Sequence, residues 1–214
     1  MDQTFRTRIK ICGITNPRAA SEAINAGADA LGLVFYEPSP RYVDIASALQ
    51  VSAMAYPFVT LVGLFVNADQ HKVSEILSKV PLQLLQFHGD EPREYCESFG
   101  LPYMKALRVR EGIDIAAEAR AYASAQAILL DTYKKGVPGG TGESFNWDLV
   151  PKLDQPVVLA GGLDSDNVRH AINEVKPYAV DTSGGVESAP GVKDPDRMRA
   201  FVEQVRQADS KPYV

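Results

Sequence analysis

Short apolar segments rich in β-branched residues recur along the chain, and they lack the strict alternation of a half-buried strand. Uninterrupted apolar runs of this length are typical of parallel strands that are covered on both faces. We therefore predict eight strands, at residues 8–12, 30–35, 59–65, 82–88, 103–109, 127–131, 156–162 and 178–184.

Helical signals lie between the predicted strands. The first helix is the clearest, because Asn16 can cap it, Pro17 stands where its missing N–H costs nothing, and Gly27 supplies the stop. Asp194 and Pro195 repeat the cap and proline at the start of the last helix. The remaining predicted helices are 45–54, 69–79, 92–99, 113–123, 146–152 and 165–175, and the last helix covers 195–207.

Eight strands that alternate with eight helices indicate parallel βα units. Eight such units favour a single-domain (β/α)₈ TIM barrel of the α/β class, with an open doubly wound sheet as the alternative. No break in composition divides the chain, so we expect one domain over residues 1–214. In a barrel, the active site forms where the carboxyl ends of the strands meet, which brings together residues that are distant in sequence.

The composition narrows the class of partner. The chain has 214 residues, 45% of them hydrophobic, and a formal net charge of −5. Nucleic acids and anionic membranes attract basic proteins, so we expect neither as a partner.

No apolar run is as long as a spanning helix and the N-terminus lacks the apolar segment of a signal peptide, so we expect a cytoplasmic protein. Cys12 and Cys96 cannot form a disulfide framework, and without a CxxC pair we expect no zinc.

Two glycine-bearing segments follow the last two predicted strands, AGGLDSDN (160–167) and TSGGVESAPG (182–191). Glycines let backbone N–H groups approach an anion closely, and a following helix start adds a favourable dipole. In barrels, the loops after strands seven and eight frequently form a phosphate site. Either segment alone is compatible with simple turns, but together they predict a small phosphorylated ligand. The candidate residues are Gly161, Gly162, Ser183, Gly184 and Gly185.

Cys12 ends the first predicted strand and Asp131 the sixth, so both would lie at the barrel mouth. A buried structural role is the default for a lone cysteine. A thiolate could instead act as a general base, but the ordinary thiol pKa of about 8.5 means that it needs a positive neighbourhood or a helix N-terminus. Asp131 could cap a turn, or it could be an acid of raised pKa that donates a proton. Such a pair could move protons on a bound substrate without a cofactor.

Further polar residues lie near predicted strand ends. Arg41 follows the second strand in a proline-stiffened loop, where it could bind a carboxylate or simply be solvated. Asp181 lies near the end of the eighth strand. His88 ends the fourth strand and could line the pocket, whereas His71 and His170 fall on predicted helices and are expected at the surface.

A third glycine-rich segment, GVPGGTGES (136–144), follows the sixth predicted strand. It matches neither the GxxxxGK[ST] phosphate loop nor the dinucleotide-binding GxGxxG motif. A flap over the site and an ordinary surface loop are both compatible with it.

The chain resembles the phosphoribosylanthranilate isomerases in seven segments that occur in the family's order over nearly the whole length. They are KICGIT, FYEPSPRYV, LQFHGDE, LLDT, GGTGESFNW, LAGGL and DTSGGVESAPGVKD. Each motif is weak alone, but the set is specific. The resemblance implies a (β/α)₈ barrel of tryptophan biosynthesis that needs no cofactor. The family converts N-(5-phosphoribosyl)anthranilate to 1-(2-carboxyphenylamino)-1-deoxyribulose 5-phosphate by an Amadori rearrangement.

The resemblance also implies a role for each residue that matches a family motif. Cys12 would be the general base, Asp131 the general acid, and Arg41 the residue that holds the anthranilate carboxylate. Asp181 would face the ribose. The phosphate would be bound by backbone N–H groups of Gly161, Gly162, Ser183, Gly184 and Gly185.

Gly184 departs from the family pattern, because the chain reads DTSGGVE where the family usually reads DVSSGVE. A serine hydroxyl is lost but the backbone N–H remains, so phosphate binding should survive with somewhat lower affinity. Two other functions stay open: a non-catalytic sugar-phosphate-binding barrel, and an aminoaldose isomerase of histidine biosynthesis. Cys12, rather than an aspartate, at the end of the first predicted strand argues against the isomerase of histidine biosynthesis. The sequence leaves a monomer and a homodimer equally open.

Overall fold

A computed structural model describes residues 6–110, 112–132 and 147–210 of the chain. Within them, eight parallel strands form a closed barrel in which each strand pairs with the next and the eighth returns to the first. The prediction of a TIM barrel is confirmed, and the open sheet is excluded. The strands are β1 (Arg8–Cys12), β2 (Ala30–Val34), β3 (Thr60–Phe65), β4 (Leu84–Phe87), β5 (Tyr103–Val109), β6 (Ala127–Thr132), β7 (Val157–Leu159) and β8 (Ala179–Thr182).

In the described part of the chain, an α-helix follows every barrel strand except β6. The helices are α1 (Pro17–Ala26), α2 (Ile45–Ser52), α3 (Gln70–Lys79), α4 (Arg93–Glu97), α5 (Ile115–Ala121), α6 (Val168–Val175) and α7 (Pro195–Asp209). No helix among the described residues is long and apolar enough to cross a membrane.

One predicted helix, at 146–152, is wrong. Trp147–Leu149 forms a single 3₁₀ turn instead, and residue 146 lies outside the described residues. Pro151 supplies the physical reason, because a proline disfavours the helical conformation in the residue before it.

The first helix begins and ends, and the last helix begins, as their sequence signals predict. The side chain of Asn16 accepts a hydrogen bond from the Ala19 N–H at 2.9 Å. Gly27 adopts a left-handed conformation with φ 113°, which ends α1 at low cost. Asp194 caps α7 by accepting from the N–H groups of Asp196 and Arg197.

The core has two main layers. The larger apolar cluster lies between the barrel and the helices, and it includes Ile9 and Ile11 of β1. A smaller cluster, with Met104 and Leu129, fills the barrel interior. Because side chains alternate along a strand, Lys10 and Cys12 of β1 face inward, opposite to the two isoleucines. This alternation directs Cys12 to the barrel mouth, where it packs with Val34 and Leu64.

A short antiparallel hairpin after β8 was not predicted. It consists of β9 (Glu187–Ala189) and β10 (Val192–Lys193) and follows a 3₁₀ turn at Gly184–Val186. Gly191 in its turn has φ +80°, and a Cβ there would lie 2.5 Å from the Pro40 carbonyl oxygen. The hairpin therefore packs closely on the loop that carries Arg41. Strands of three and two residues are too short to show an alternating pattern.

Candidate active site

A cavity opens at the carboxyl ends of the barrel strands. It encloses about 340 Å³, which lies within the usual range of about 300–1,000 Å³ for small-molecule sites. All of the residues that sequence reasoning selected for the site line it, together with His88. They are Cys12, Arg41, Asp131, Gly161, Gly162, Asp181, Ser183, Gly184 and Gly185.

Cys12 lies at the end of β1 and is buried. A Cβ on Gly32 of β2 would lie 2.6 Å from the Cys12 sulfur, so the missing side chain there makes room for the thiol. Burial raises the pKa of the Cys12 thiol, while the nearby Lys10 and Lys193 ammonium groups oppose that rise. The expected positive neighbourhood is present, but burial outweighs it, so the pKa is raised rather than lowered.

Lys10 lies two residues before Cys12 on the same inward face of β1. Its Nζ is 2.8 Å from Asp181 Oδ2, and both side chains are buried. Burial lowers the pKa of Lys10, but the charges of Asp181 and Cys12 outweigh this and leave that pKa raised. Lys10 is thus a buried ammonium beside the thiol. Sequence reasoning missed it, although a charged residue inside an apolar strand, in phase with Cys12, was a usable signal.

The other oxygen of Asp181 is unusual. Within the described part of the chain, Oδ1 is buried and accepts no hydrogen bond. An unsatisfied buried oxygen is costly, so it calls for an explanation. Asp181 lines the cavity, where a ligand hydroxyl could supply the missing donor.

Asp131 is held by hydrogen bonds from one side chain and one backbone group. Its Oδ1 accepts from the Thr132 N–H at 2.8 Å, and its Oδ2 lies 3.0 Å from His88 Nε2. Gln86 Nε2 lies 2.8 Å from His88 Nδ1. In this orientation of the Gln86 amide the nitrogen donates, so Nδ1 accepts and the imidazole proton is assigned to Nε2, directed at Asp131. His88 therefore fixes the carboxyl group, and Gln86, which sequence reasoning missed, fixes His88.

Arg41 enters the cavity from the loop after β2. Its Nε and Nη2 each donate to Glu187 at 2.8 Å, one to each carboxylate oxygen. The side chain packs on Gly13, where a Cβ would lie 2.6 Å from Arg41 Cδ. Glu187 also accepts from Lys193 at 2.7 Å. Neither Glu187 nor Lys193 was foreseen, because the partners are far from Arg41 in sequence.

The two glycine segments lie side by side at one edge of the cavity. Gly161 and Gly162 have φ +82° and +66°, a left-handed conformation that other residues adopt at a cost. A Cβ on Gly185 would collide with the Leu163 carbonyl oxygen, and that same oxygen accepts from Thr182 Oγ1 at 2.7 Å. The loops after β7 and β8 are therefore in direct contact. Their backbone N–H groups can approach an anion closely.

Further predictions concern two histidines, a glycine-rich segment and metal binding. His71 and His170 are exposed on α3 and α6, as predicted. The segment 136–144 lies outside the described residues, so the choice between a flap and a surface loop stays a prediction. The described residues contain no group of three or more His, Cys, Asp or Glu that could hold a metal ion.

Comparison with known proteins identifies the family. The model of the N-(5'phosphoribosyl)anthranilate (PRA) isomerase family matches residues 9–204. The chain belongs to this family. The N-(5'-phosphoribosyl)anthranilate isomerase of Pseudomonas putida is 58% identical over 202 residues, which cover 94% of this chain and 98% of the relative. The enzyme of Pseudomonas aeruginosa strain LESB58 is 60% identical over 200 residues, 93% of this chain and 95% of the relative.

Solved structures of PRA isomerases have the same fold. The Thermotoga maritima phosphoribosyl anthranilate isomerase is 40% identical with a TM-score of 0.87, and the match covers 94% of this chain and 99% of that one. A PRA isomerase in complex with reduced 1-(o-carboxyphenylamino)-1-deoxyribulose 5-phosphate is 38% identical, with a TM-score of 0.80 and the same coverage. The predicted activity is thus confirmed: the chain is a PRA isomerase of tryptophan biosynthesis.

Proposed function

We propose that Cys12 is the general base and Asp131 the general acid of the rearrangement. The observation that carries this proposal is their convergence. They come from β1 and β6, which do not pair, yet both line the cavity at the barrel mouth. A base and an acid on different walls can act on two neighbouring atoms of one substrate.

The acid step opens the sugar ring. Asp131 donates its proton to the furanose ring oxygen as the ring opens to a Schiff base. The hydrogen bonds from Thr132 and His88 hold the carboxyl group in one orientation, so little reorganisation accompanies the transfer.

The base step follows at the adjacent carbon. The Cys12 thiolate removes the C2′ proton, which gives an enolamine, and tautomerisation then yields the ketone. One proton enters and one leaves, so the reaction is a net isomerisation. Since burial raises the pKa of Cys12, the thiolate that forms is a strong proton acceptor. The ammonium group of Lys10 stabilises the negative charge.

Three groups of residues anchor the substrate. Arg41 binds the anthranilate carboxylate. Asp181 accepts from a ribose hydroxyl, which would satisfy its unpartnered Oδ1. The phosphate is bound by backbone N–H groups of Gly161, Gly162, Ser183, Gly184 and Gly185.

An isomerase assay tests these roles. Phosphoribosylanthranilate is labile, so it is generated in situ from anthranilate and phosphoribosyl pyrophosphate by a separate transferase, and its fluorescence loss is followed. Cys12→Ala should lower kcat by about 10²- to 10⁴-fold, the usual contribution of a general acid or base. Cys96→Ala is the matched control, because Cys96 is also buried but does not line the cavity. Near-normal turnover of Cys12→Ala would exclude the proposed base.

For the organisation of the protein, we propose one domain over residues 1–214 that acts in the cytoplasm on a small phosphorylated substrate. Between a monomer and a homodimer we favour the homodimer. A Thermotoga maritima relative is described as dimeric, and here Phe58, fully exposed beside the exposed Tyr56, offers an apolar surface for a second copy. Sedimentation velocity should show a dimer that Phe58→Ser weakens. A wild-type monomer at every concentration would refute the homodimer.

A further inference from the structure

We infer that Glu187 is a positioning residue that ties the carboxylate-binding arginine to the phosphate-binding loop. Glu187 belongs to the hairpin after β8 and does not line the cavity. It contacts one residue from each of the two proposed anchoring sites, either directly or through one lysine. The inference rests on the roles proposed above for Arg41 and for the loop at Ser183.

The first connection is the bidentate pair with Arg41. Both carboxylate oxygens of Glu187 are used, one by Nε and one by Nη2, at 2.8 Å each. Two parallel hydrogen bonds fix the plane of a guanidinium group as well as its position. Nη1 makes no hydrogen bond to another described residue, so both of its N–H groups are left to meet a ligand. Glu187 therefore decides where the free end of Arg41 points.

The second connection passes through Lys193. This lysine stands opposite Glu187 in the hairpin register and donates to it at 2.7 Å. The same ammonium group donates to the Ser183 carbonyl oxygen at 3.0 Å and to Ser183 Oγ at 3.2 Å. Ser183 Oγ in turn donates to the Cys12 carbonyl oxygen at 2.9 Å. The chain of contacts thus reaches the loop after β8 and the end of β1.

Burial makes this network sensitive to loss of the carboxylate. The side chain of Lys193 is fully buried and that of Glu187 is 4% exposed. A buried charge without its partner is strongly destabilising. Burial already lowers the pKa of Lys193, and Glu187 is the strongest of the influences that oppose this. Without Glu187, the lysine would tend to lose its proton, so the loop would lose a cation while Arg41 lost its orientation.

Inhibition by inorganic phosphate tests this connection, because phosphate probes one anchoring site alone. Glu187→Gln should raise the substrate KM by about tenfold or more and weaken competitive inhibition by phosphate several-fold, as expected when charge-assisted hydrogen bonds are lost. The kcat value should change less than KM. Glu187→Asp keeps the charge and should recover part of both effects.

Asp29→Asn is the matched control. Asp29 also forms a bidentate pair with an arginine, Arg6, but at the opposite end of the barrel. It should lower the melting temperature without changing KM or phosphate inhibition. If Glu187→Gln leaves phosphate inhibition at the wild-type level, or strengthens it, the inference is wrong.

Arg41→Ala separates this inference from the proposed function. It should raise KM but leave phosphate inhibition within about twofold, because Arg41 is the carboxylate anchor only. An unchanged KM in Arg41→Ala would refute the proposed role of Arg41 itself. A raised KM in Arg41→Ala, together with unaltered phosphate inhibition in Glu187→Gln, would refute the inference alone.

Discussion

The base and the acid of the proposed mechanism lie in contrasting surroundings. Cys12 is next to two buried ammonium groups, Lys10 and Lys193, and Lys10 is paired with Asp181. Asp131 instead accepts hydrogen bonds from a backbone N–H and from a histidine that a glutamine orients. On the β1 side of the cavity the reacting group is therefore surrounded by buried charges, and on the β6 side it is held by hydrogen bonds.

The contrast follows from what each group must do. A thiol in a dry site ionises only if a cation compensates the loss of water. A carboxylic acid has to carry its proton until the ring opens, and a fixed cation at contact distance would favour its ionised form. The lysines lie beside the cysteine, and the aspartate is held by hydrogen bonds instead.

Asp131→Asn should have the largest effect on the hydrogen-bonded side. The amide keeps the size of the side chain but has no acidic proton, so kcat should fall by about 10²- to 10⁴-fold. Steady-state assays at saturating substrate measure this. Phosphate inhibition serves as a check that the pocket is intact, and it should stay near the wild-type level. A kcat within a few-fold of wild type would remove Asp131 from the proposed chemistry.

Lys10→Met should have the next largest effect, because it removes a buried charge from the β1 side of the cavity. Lys10 lowers the pKa of the Cys12 thiol against the effect of burial, so removing the ammonium raises that pKa. Because the base works as a thiolate, the rising limb of kcat/KM should move to higher pH, with a loss of about tenfold on the low-pH side.

Alkylation of Cys12 by iodoacetamide, in a Cys96→Ala background, reports the same pKa without turnover. Its pH dependence should shift in the same direction in Lys10→Met. Lys105→Met is the matched control, since Lys105 is a buried lysine paired with Glu91 outside the cavity. If Lys10→Met left both pH profiles unmoved, the charge of Lys10 would not influence the ionisation of Cys12. The contrast drawn between the β1 and β6 sides of the cavity would then be wrong.

Gln86→Leu should have a smaller effect on the hydrogen-bonded side. His88 Nδ1 would lose its donor, so the imidazole would no longer be held with its Nε2 proton toward Asp131. We expect kcat to fall by about tenfold, the value of one buried hydrogen bond, with the rising limb of the pH profile unmoved. A shift of that limb to higher pH would contradict the conclusion that the β6 side depends on hydrogen bonds and does not influence the ionisation of Cys12.

Gly184→Ser should have the smallest effect. It restores the serine that the family pattern usually carries, and Gly184 is not in a left-handed conformation, so the added side chain brings no backbone strain. One extra hydroxyl near the phosphate should improve inhibition by inorganic phosphate by less than about tenfold. Unchanged inhibition in this variant would place the phosphate away from Gly184.

The amino-acid sequence alone determined the barrel and the residues at its mouth. Apolar runs, the caps at Asn16 and Asp194 and the glycine after α1 are local signals, and their physics acts over a few residues. Once eight parallel strands are counted, the carboxyl ends must meet, so Cys12 and Asp131 must line one mouth. The same local reasoning failed at 146–152, where Pro151 outweighed the helical pattern.

Only the tertiary structure decided which charges surround the reacting groups. Lys10 and Asp181 are 171 residues apart, and Arg41 and Glu187 are 146 apart. No local pattern encodes such a pairing, because it depends on where two distant strands close the barrel. The raised pKa of Cys12 likewise reflects burial set against lysines from β1 and β10. The sequence places the thiol at the end of β1, but the packing of the barrel determines how readily that thiol ionises.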